Sequence, residues 1–329
     1  MPIPFILGGI GIATGLLGIG TGIKSVVDNN DANDVNAQAN LIVDKAKENL
    51  EECRTKSYKA LEALGGKKAF VLNNGITDFV NAFEKLKNVD IKNSVGHDEL
   101  KLDKQSLRQL KEMGNYAASI LGGVAGGAVG GALAAFGAYS GAMVFGAAST
   151  GTAIASLSGV AATNATLAFL GGGSLAVGGL GMAGGAMVLG GLVAGPALAI
   201  MGIVLGAKAS ENLDKARSNL AEARKIAEEL QTASVLCNGI RRRSYMFERL
   251  LIRLDALFSP LVYRMEEIIE ASGVNYPDFT AVDKRTICTA AALAQTIKAV
   301  LVTPILTEDG RLTDESKQIA SDIQKNLSS

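Results

Sequence analysis

The segment Gly122-Gly-Val-Ala-Gly-Gly-Ala-Val-Gly-Gly131 lies near the start of a run, Met113 to Ala207, that holds no Asp, Glu, Lys, Arg or His over 95 residues. The chain as a whole is 19% charged, and a surface helix of a soluble domain has to show a polar face to water. So long a run is either a membrane segment or a wholly enclosed core. Its glycines recur every four residues, at Gly122, Gly126 and Gly130 and in parallel at Gly123, Gly127 and Gly131, then at Gly137 with Gly141 and at Gly181 with Gly185. That spacing places each set on one helix face, where the missing Cβ atoms let a second backbone approach and form weak Cα–H···O contacts. These ten glycines are the candidate positions for membrane and oligomer packing. The alternative is a Gly-rich flexible linker, against which the Leu, Val, Ile and Met between them argue. Because Gly costs a helix about 1 kcal/mol relative to Ala in water, the run stays helical only where lipid or tight packing forces its amides to bond internally.

The run accommodates two spans, Tyr116 to Gly146 and Thr166 to Gly206, joined where Ser149, Thr150, Thr152, Ser156, Ser158, Thr163 and Asn164 supply polar groups. Lys101, Lys104, Arg108 and Lys111 precede the first span, and Lys208, Lys215 and Arg217 follow the second, which places both ends on one side of a bilayer. Insertion is weakly driven. Twelve Leu, Val or Ile residues between Ser174 and Leu205 contribute roughly −5 kcal/mol on the translocon scale, and Gly and Pro196 erode that sum. A hairpin of this kind is expected to exist either folded away in a helical protein or inserted in a bilayer.

Outward from the run, five segments follow: an apolar Gly-rich helix over 1–27, a helical region over 28–112, the hydrophobic hairpin over 113–207, a long helix region over 208–273 and C-terminal helices over 274–329. Residues 1–23 lack the basic start and small-residue cleavage pattern of a secretory signal; a third span and a core helix fit them equally. The Asp/Asn-rich stretch 28–34 caps the next helix, whose near-heptad stripe runs Val35, Ala39, Ile42, Ala46, Leu50, Cys53, Leu61 and Leu64 until Gly65 and Gly66 stop it. A helix over 68–87 turns Phe70, Phe79 and Phe83 inward, and a short amphipathic helix from Asp103 leads into the first span. Beyond the hairpin, Leu213, Ala216, Leu220, Ala223, Ala227 and Leu230 form a second heptad-like stripe, expected to pack on the first as a coiled-coil stalk, antiparallel or side by side. Asn238 and Gly239 are expected to bend this helix and Pro260 to kink or divide its continuation. A turn at 273–278, a buried helix over 282–302 ended by Pro304, and an amphipathic helix over 314–327 complete the chain. Period-two alternation is missing, so the fold class is all-α: long amphipathic helices flanking a Gly/Ala-rich, membrane-insertable hairpin.

Charges balance at 32 against 32 and within both flanks of the run, so neither flank has the basic excess of a nucleic-acid-binding domain. A single histidine, His97, beside Asp98 and Glu99 in a polar turn, leaves no triad and no common zinc set. Cys53, Cys237 and Cys288 are odd in number and without CxxC spacing, which argues for buried thiols in a reducing compartment. Gly171 to Gly173 have no following Lys-Ser or Lys-Thr and no strand before them, unlike a phosphate loop, and Glu266, Glu267 and Glu270 share an exposed helix face. No catalytic residue, metal or cofactor is expected. Arg241, Arg242 and Arg243 are the candidates for anionic-lipid contact, at roughly 1 kcal/mol each, with a solvated helix face as the alternative.

In its apolar run Ala117 to Gly146, its block Ala165 to Gly185 and its Ala194-Gly-Pro-Ala-Leu-Ala199, the chain resembles α-helical membrane-active proteins: colicin-type and haemolysin-type pore formers and the apolipoprotein-L-like group. The resemblance is compositional, covers about a third of the chain and carries over no catalytic residue. It implies a non-enzymatic bacterial protein, a toxin or effector, that oligomerises through glycine stripes and permeabilises or remodels a bilayer, located in the cytoplasm or at the inner membrane. The expected partners are the lipid bilayer, further copies of the chain and a protein bound through the helical stripes. The rival expectation is a helical scaffold or partner-binding protein whose Gly-rich core stays buried.

Overall fold

A computed structural model describes residues 30–89, 104–122, 129–139, 213–307 and 311–327. Residues 1–23, His97, Gly123, Gly126, Gly127, Gly141, Gly181, Gly185 and the second span lie outside the described residues. The elements are α1 (Asn30–Val71), a π-helical turn (Leu72–Ile76), α2 (Thr77–Lys85), α3 (Lys104–Gly122), α4 (Val129–Tyr139), α5 (Leu213–Ser272), a 3₁₀ turn (Tyr276–Asp278), α6 (Ala281–Val302) and α7 (Asp314–Asn326). Among the described residues extended pairing is confined to two isolated bridges, Lys87 with Asn275 and Leu306 with Leu312. The fold is all-α.

Two compact units divide these elements, with the boundaries falling inside α1 and α5, after Ser57 and after Gly239. Among the described residues the first unit is a helix pair. Ala39, Val43, Leu50 and Cys53 of α1 are buried against Ala223, Ile226, Leu230 and Cys237 of α5, with Ala46, Leu220 and Ala233 partly buried beside them. Steps of three and four residues on both helices are the signature of knobs-into-holes packing. Burial of Leu50 and Leu230 contributes about 1.5–3 kcal/mol each. Cross-helix bonds fix the direction: Asn219 Nδ2 donates to Asn36 Oδ1 at 3.2 Å, Asn49 Nδ2 to Gln231 Oε1 at 3.2 Å, and Asn238 Nδ2 to Cys53 Sγ at 3.2 Å. Partners rise together along both helices, so the pair is parallel. The α1 stripe is rotated from the expected one, through Val43 in place of Ile42, because the facing residues decide which of two adjacent apolar positions is covered.

In the second unit α1 continues through Gly65 and Gly66 to Val71, so these glycines do not end the helix as expected. Phe70 is 51% exposed, while Phe79 and Phe83 are buried; a spacing of nine residues, about two and a half helical turns, sets Phe70 away from the face of Phe79, and Phe79 stacks obliquely on Phe258 at 5.6 Å. Thr77 Oγ1 donates to Leu72 O at 2.7 Å within that turn. The helix α5 is unbroken across Asn238, Gly239 and Pro260. Asn238 Nδ2 donates to the Ser234 carbonyl at 3.1 Å, which binds the helix to itself where a bend was expected. Pro260 has no N–H to offer the Ala256 carbonyl, and both residues lie on an exposed face. Gly273, at φ +80°, ends α5 with its N–H on Ile269 O at 3.0 Å. Thr280 and Thr313 cap α6 and α7, accepting from Asp283 N and Ser316 N. Among the described residues only α6 is long and apolar enough to cross a membrane, at a mean hydropathy of 1.2. Its Ala290, Ala291, Ala294, Ile297 and Leu301 are buried, as in a core helix, and match the buried helix read from 282–302.

Candidate functional site

The charge-free run enters the second unit through α3 and α4. Ala117 of α3 and Ala134, Phe136 and Ala138 of α4 are fully buried. Where α4 crosses α1, glycine faces glycine: a Cβ on Gly65 would collide with the Leu133 carbonyl, and one on Gly137 with the Leu61 carbonyl. Only Gly permits an approach this close, in which helix backbones touch directly and gain dispersion on both sides. Gly137, expected as a position for packing between helices, is thus occupied within the chain.

One turn along α1 from Gly65 stands Lys68, whose side chain is wholly enclosed. Its Nζ donates to Gly137 O at 3.1 Å and lies 6.0 Å from the centre of the Phe247 ring of α5. The neighbouring Lys67 points the other way, pairing with Asp255 at 2.8 Å and lying over the Phe70 ring at 4.7 Å. Removal from water pushes the Lys68 amine down from its ordinary 10.5 to about 7. The Ala138 carbonyl accepts from Ile305 N at 2.8 Å and Leu306 N at 3.3 Å. Two successive carbonyls of α4 are therefore held by groups from outside it, one from α1 and one from the strap after α6. A lysine in register with Leu61, Leu64 and Leu72 is the sequence signal that marks this position.

Of the other expected positions, Gly122 ends α3, and Gly130 and Gly131 lie in the first turn of α4. The arginine triplet does not act as one group: Arg243 Nη1 donates to Ser316 Oγ at 2.7 Å, and burial lowers its pKa with Asp314 opposing, whereas Arg242 is exposed. The three cysteines are free and buried, and burial raises the Cys237 thiol. Among the described residues no group of His, Cys, Asp and Glu could hold a metal ion. No family model matches this sequence, and neither a curated protein nor a solved structure matches it.

Proposed function

We propose that this is a membrane-inserting α-helical protein that oligomerises through its glycine stripes and permeabilises or remodels a bilayer. The observation that carries the reading is the run Met113 to Ala207, 95 residues without a charge and with glycine at every fourth position in several registers. Support comes from the α1–α4 crossing, where the first part of the run meets the rest of the chain through bare backbone and one buried cation. Such a joint tolerates separation, since enclosing the Lys68 amine costs free energy that exposure to water returns. Insertion then sets the run in hydrocarbon, and its glycine faces pack hairpin against hairpin. No step requires catalysis or a cofactor. Release of a trapped dye from anionic liposomes by the purified full chain tests the reading. Leu180→Arg, which sets a cation in hydrocarbon at about 2.5–3.5 kcal/mol, should abolish both flotation with the vesicles and leakage; leakage equal to the parent's would overturn it.

One observation favours a second reading. Ala134, Phe136 and Ala138 are as deeply buried as the central residues of α6, which suits a scaffold whose Gly-rich core never leaves the protein. On that reading neither flotation nor leakage occurs.

A further inference from the structure

Among the described residues of the second unit, nothing covers one face of α5. Asp255 turns to Lys67, Arg243 to Ser316, Arg253 to the Leu327 carbonyl, and Phe247, Leu251, Leu254 and Phe258 to the core. Between these sides Tyr245, Arg249, Ile252, Ala256, Ser259 and Tyr263 follow one another at steps of four, three, four, three and four, and all six are exposed. Tyr263 is 66% exposed, Ile252 48% and Tyr245 44%. Heptad spacing with aromatic and aliphatic members is the pattern of a helix seam, yet here the seam faces water. Its ends are oppositely charged: Arg241 and Arg242 stand before it, Glu266 and Glu267 at its far end.

We propose that this seam binds the same seam of a second copy, antiparallel, about a two-fold axis near Leu254. Charge selects that occupant and that direction. Parallel pairing would set Arg242 against Arg242 and Glu266 against Glu266, whereas antiparallel pairing opposes Arg242 with Glu266 and Arg241 with Glu267, twice over by symmetry. The same register opposes Tyr245 with Tyr263, Arg249 with Ser259 and Ile252 with Ala256, so an aromatic pair and a large-to-small layer coincide with the ion pairs. From 242 to 266 the contact is about 36 Å long, at the rise of an α-helix. Glu267 is bonded to Arg264 of its own helix at 2.8 Å, which leaves Glu266 as the principal acidic partner. The surface is separate from the glycine stripes and does not depend on membrane activity.

Sedimentation equilibrium of the full chain, density-matched if detergent is needed, reads the association. The parent should be a dimer at micromolar concentration. Arg241→Glu with Arg242→Glu, or Glu266→Arg with Glu267→Arg, should weaken it at least about tenfold, and all four changes together should restore it. A monomeric parent, indifference to either double change, or no recovery in the fourfold variant would overturn the seam. Should a charge variant lose its helical circular dichroism, oxidative cross-linking decides, with Cys53, Cys237 and Cys288 replaced: Tyr245→Cys protein mixed with Tyr263→Cys protein should cross-link, and Tyr245→Cys protein alone should not. The reverse pattern would overturn the antiparallel arrangement. If the parent is monomeric and Arg241→Glu with Arg242→Glu instead abolishes binding to phosphatidylglycerol vesicles, the arginines serve lipid and the proposal fails. Dye release measured on the same variants separates the two readings, because a dimer lost with leakage retained leaves the membrane function standing.

Discussion

Lys68 Nζ donates to the Gly137 carbonyl across the α1–α4 crossing, 3.1 Å away, with the lysine fully buried. An ammonium in such surroundings is paid for by the rest of the fold, and its cost depends on pH. The unfolded chain releases this proton near 10.5, the folded chain near 7. Between those values the unfolded state holds a proton the folded state has shed, so stability rises with pH across the window and settles to its lower level below about 7. The slope inside the window is about 1.4 kcal/mol per pH unit. Urea unfolding at pH 6, 7, 8 and 9 should show the rise, and Lys68→Met should flatten it. An unchanged pH profile in the variant would show that Lys68 does not titrate between these states.

The glycines of α1 make a second, opposed pair of expectations. Gly65→Ala sets a methyl against the Leu133 carbonyl and should destabilise by about 1–3 kcal/mol, the range for overpacking a tight site. Gly66→Ala meets nothing within 4 Å and should stabilise the helix by about 0.5–1 kcal/mol. Chemical unfolding of the two variants, compared at one pH, checks both signs. Equal effects would mean that the crossing is looser than described.

Why Gly65 and Gly66 read as a helix stop is a matter of what one chain segment can encode. Two glycines after a heptad stripe cost a helix in water, and only a partner backbone, coming from Leu133 and Gly137 about seventy residues later, reverses the balance. Helix positions with strong periodicity were legible: α6, α7, the turn at Gly273 and the burial of Ala290, Ala291 and Ala294 follow from local pattern and capping. Partner-dependent features were not. Lys68 is buried because α4 lies over it, and the choice between Ile42 and Val43 belongs to α5. Gly137 makes a close helix contact within the chain, against Leu61 and Gly65 of α1, and the spacing of four gave no sign of which helix it would meet.

Burial also governs the thiols. Cys53, Cys237 and Cys288 are each below a tenth exposed, and the Cys237 thiol is raised by desolvation. Access is closed at all three, and at Cys237 deprotonation is suppressed as well, so a thiol-specific reagent at pH 7.5 should label none of them quickly in the folded protein and all three in denaturant. Rapid labelling of Cys53 or Cys237 under native conditions would mean that the first unit opens readily.

Direction along the first unit supplies the last prediction. Because Asn36 meets Asn219 and Asn49 meets Gln231, the starts of α1 and α5, at Asn30 and Leu213, belong to the same end of the pair. The chain segments that lead into them, residues 1–29 and the end of the charge-free run, attach at that one end. In a background with Cys53, Cys237 and Cys288 replaced, Asn36→Cys with Asn219→Cys should cross-link within one chain, and so should Asn49→Cys with Gln231→Cys. Asn36→Cys with Gln231→Cys should not, since twelve residues of helix, about 18 Å, separate those positions. The reverse result would make the pair antiparallel. On the membrane reading, the cross-link at 36 and 219, nearest the attachment of the run, should reduce dye release more than the one at 49 and 231, and reduction of the disulfide should restore it. On the scaffold reading both cross-links form and the liposomes stay intact with or without them, so the same two proteins report the direction of the helices and decide between the functions.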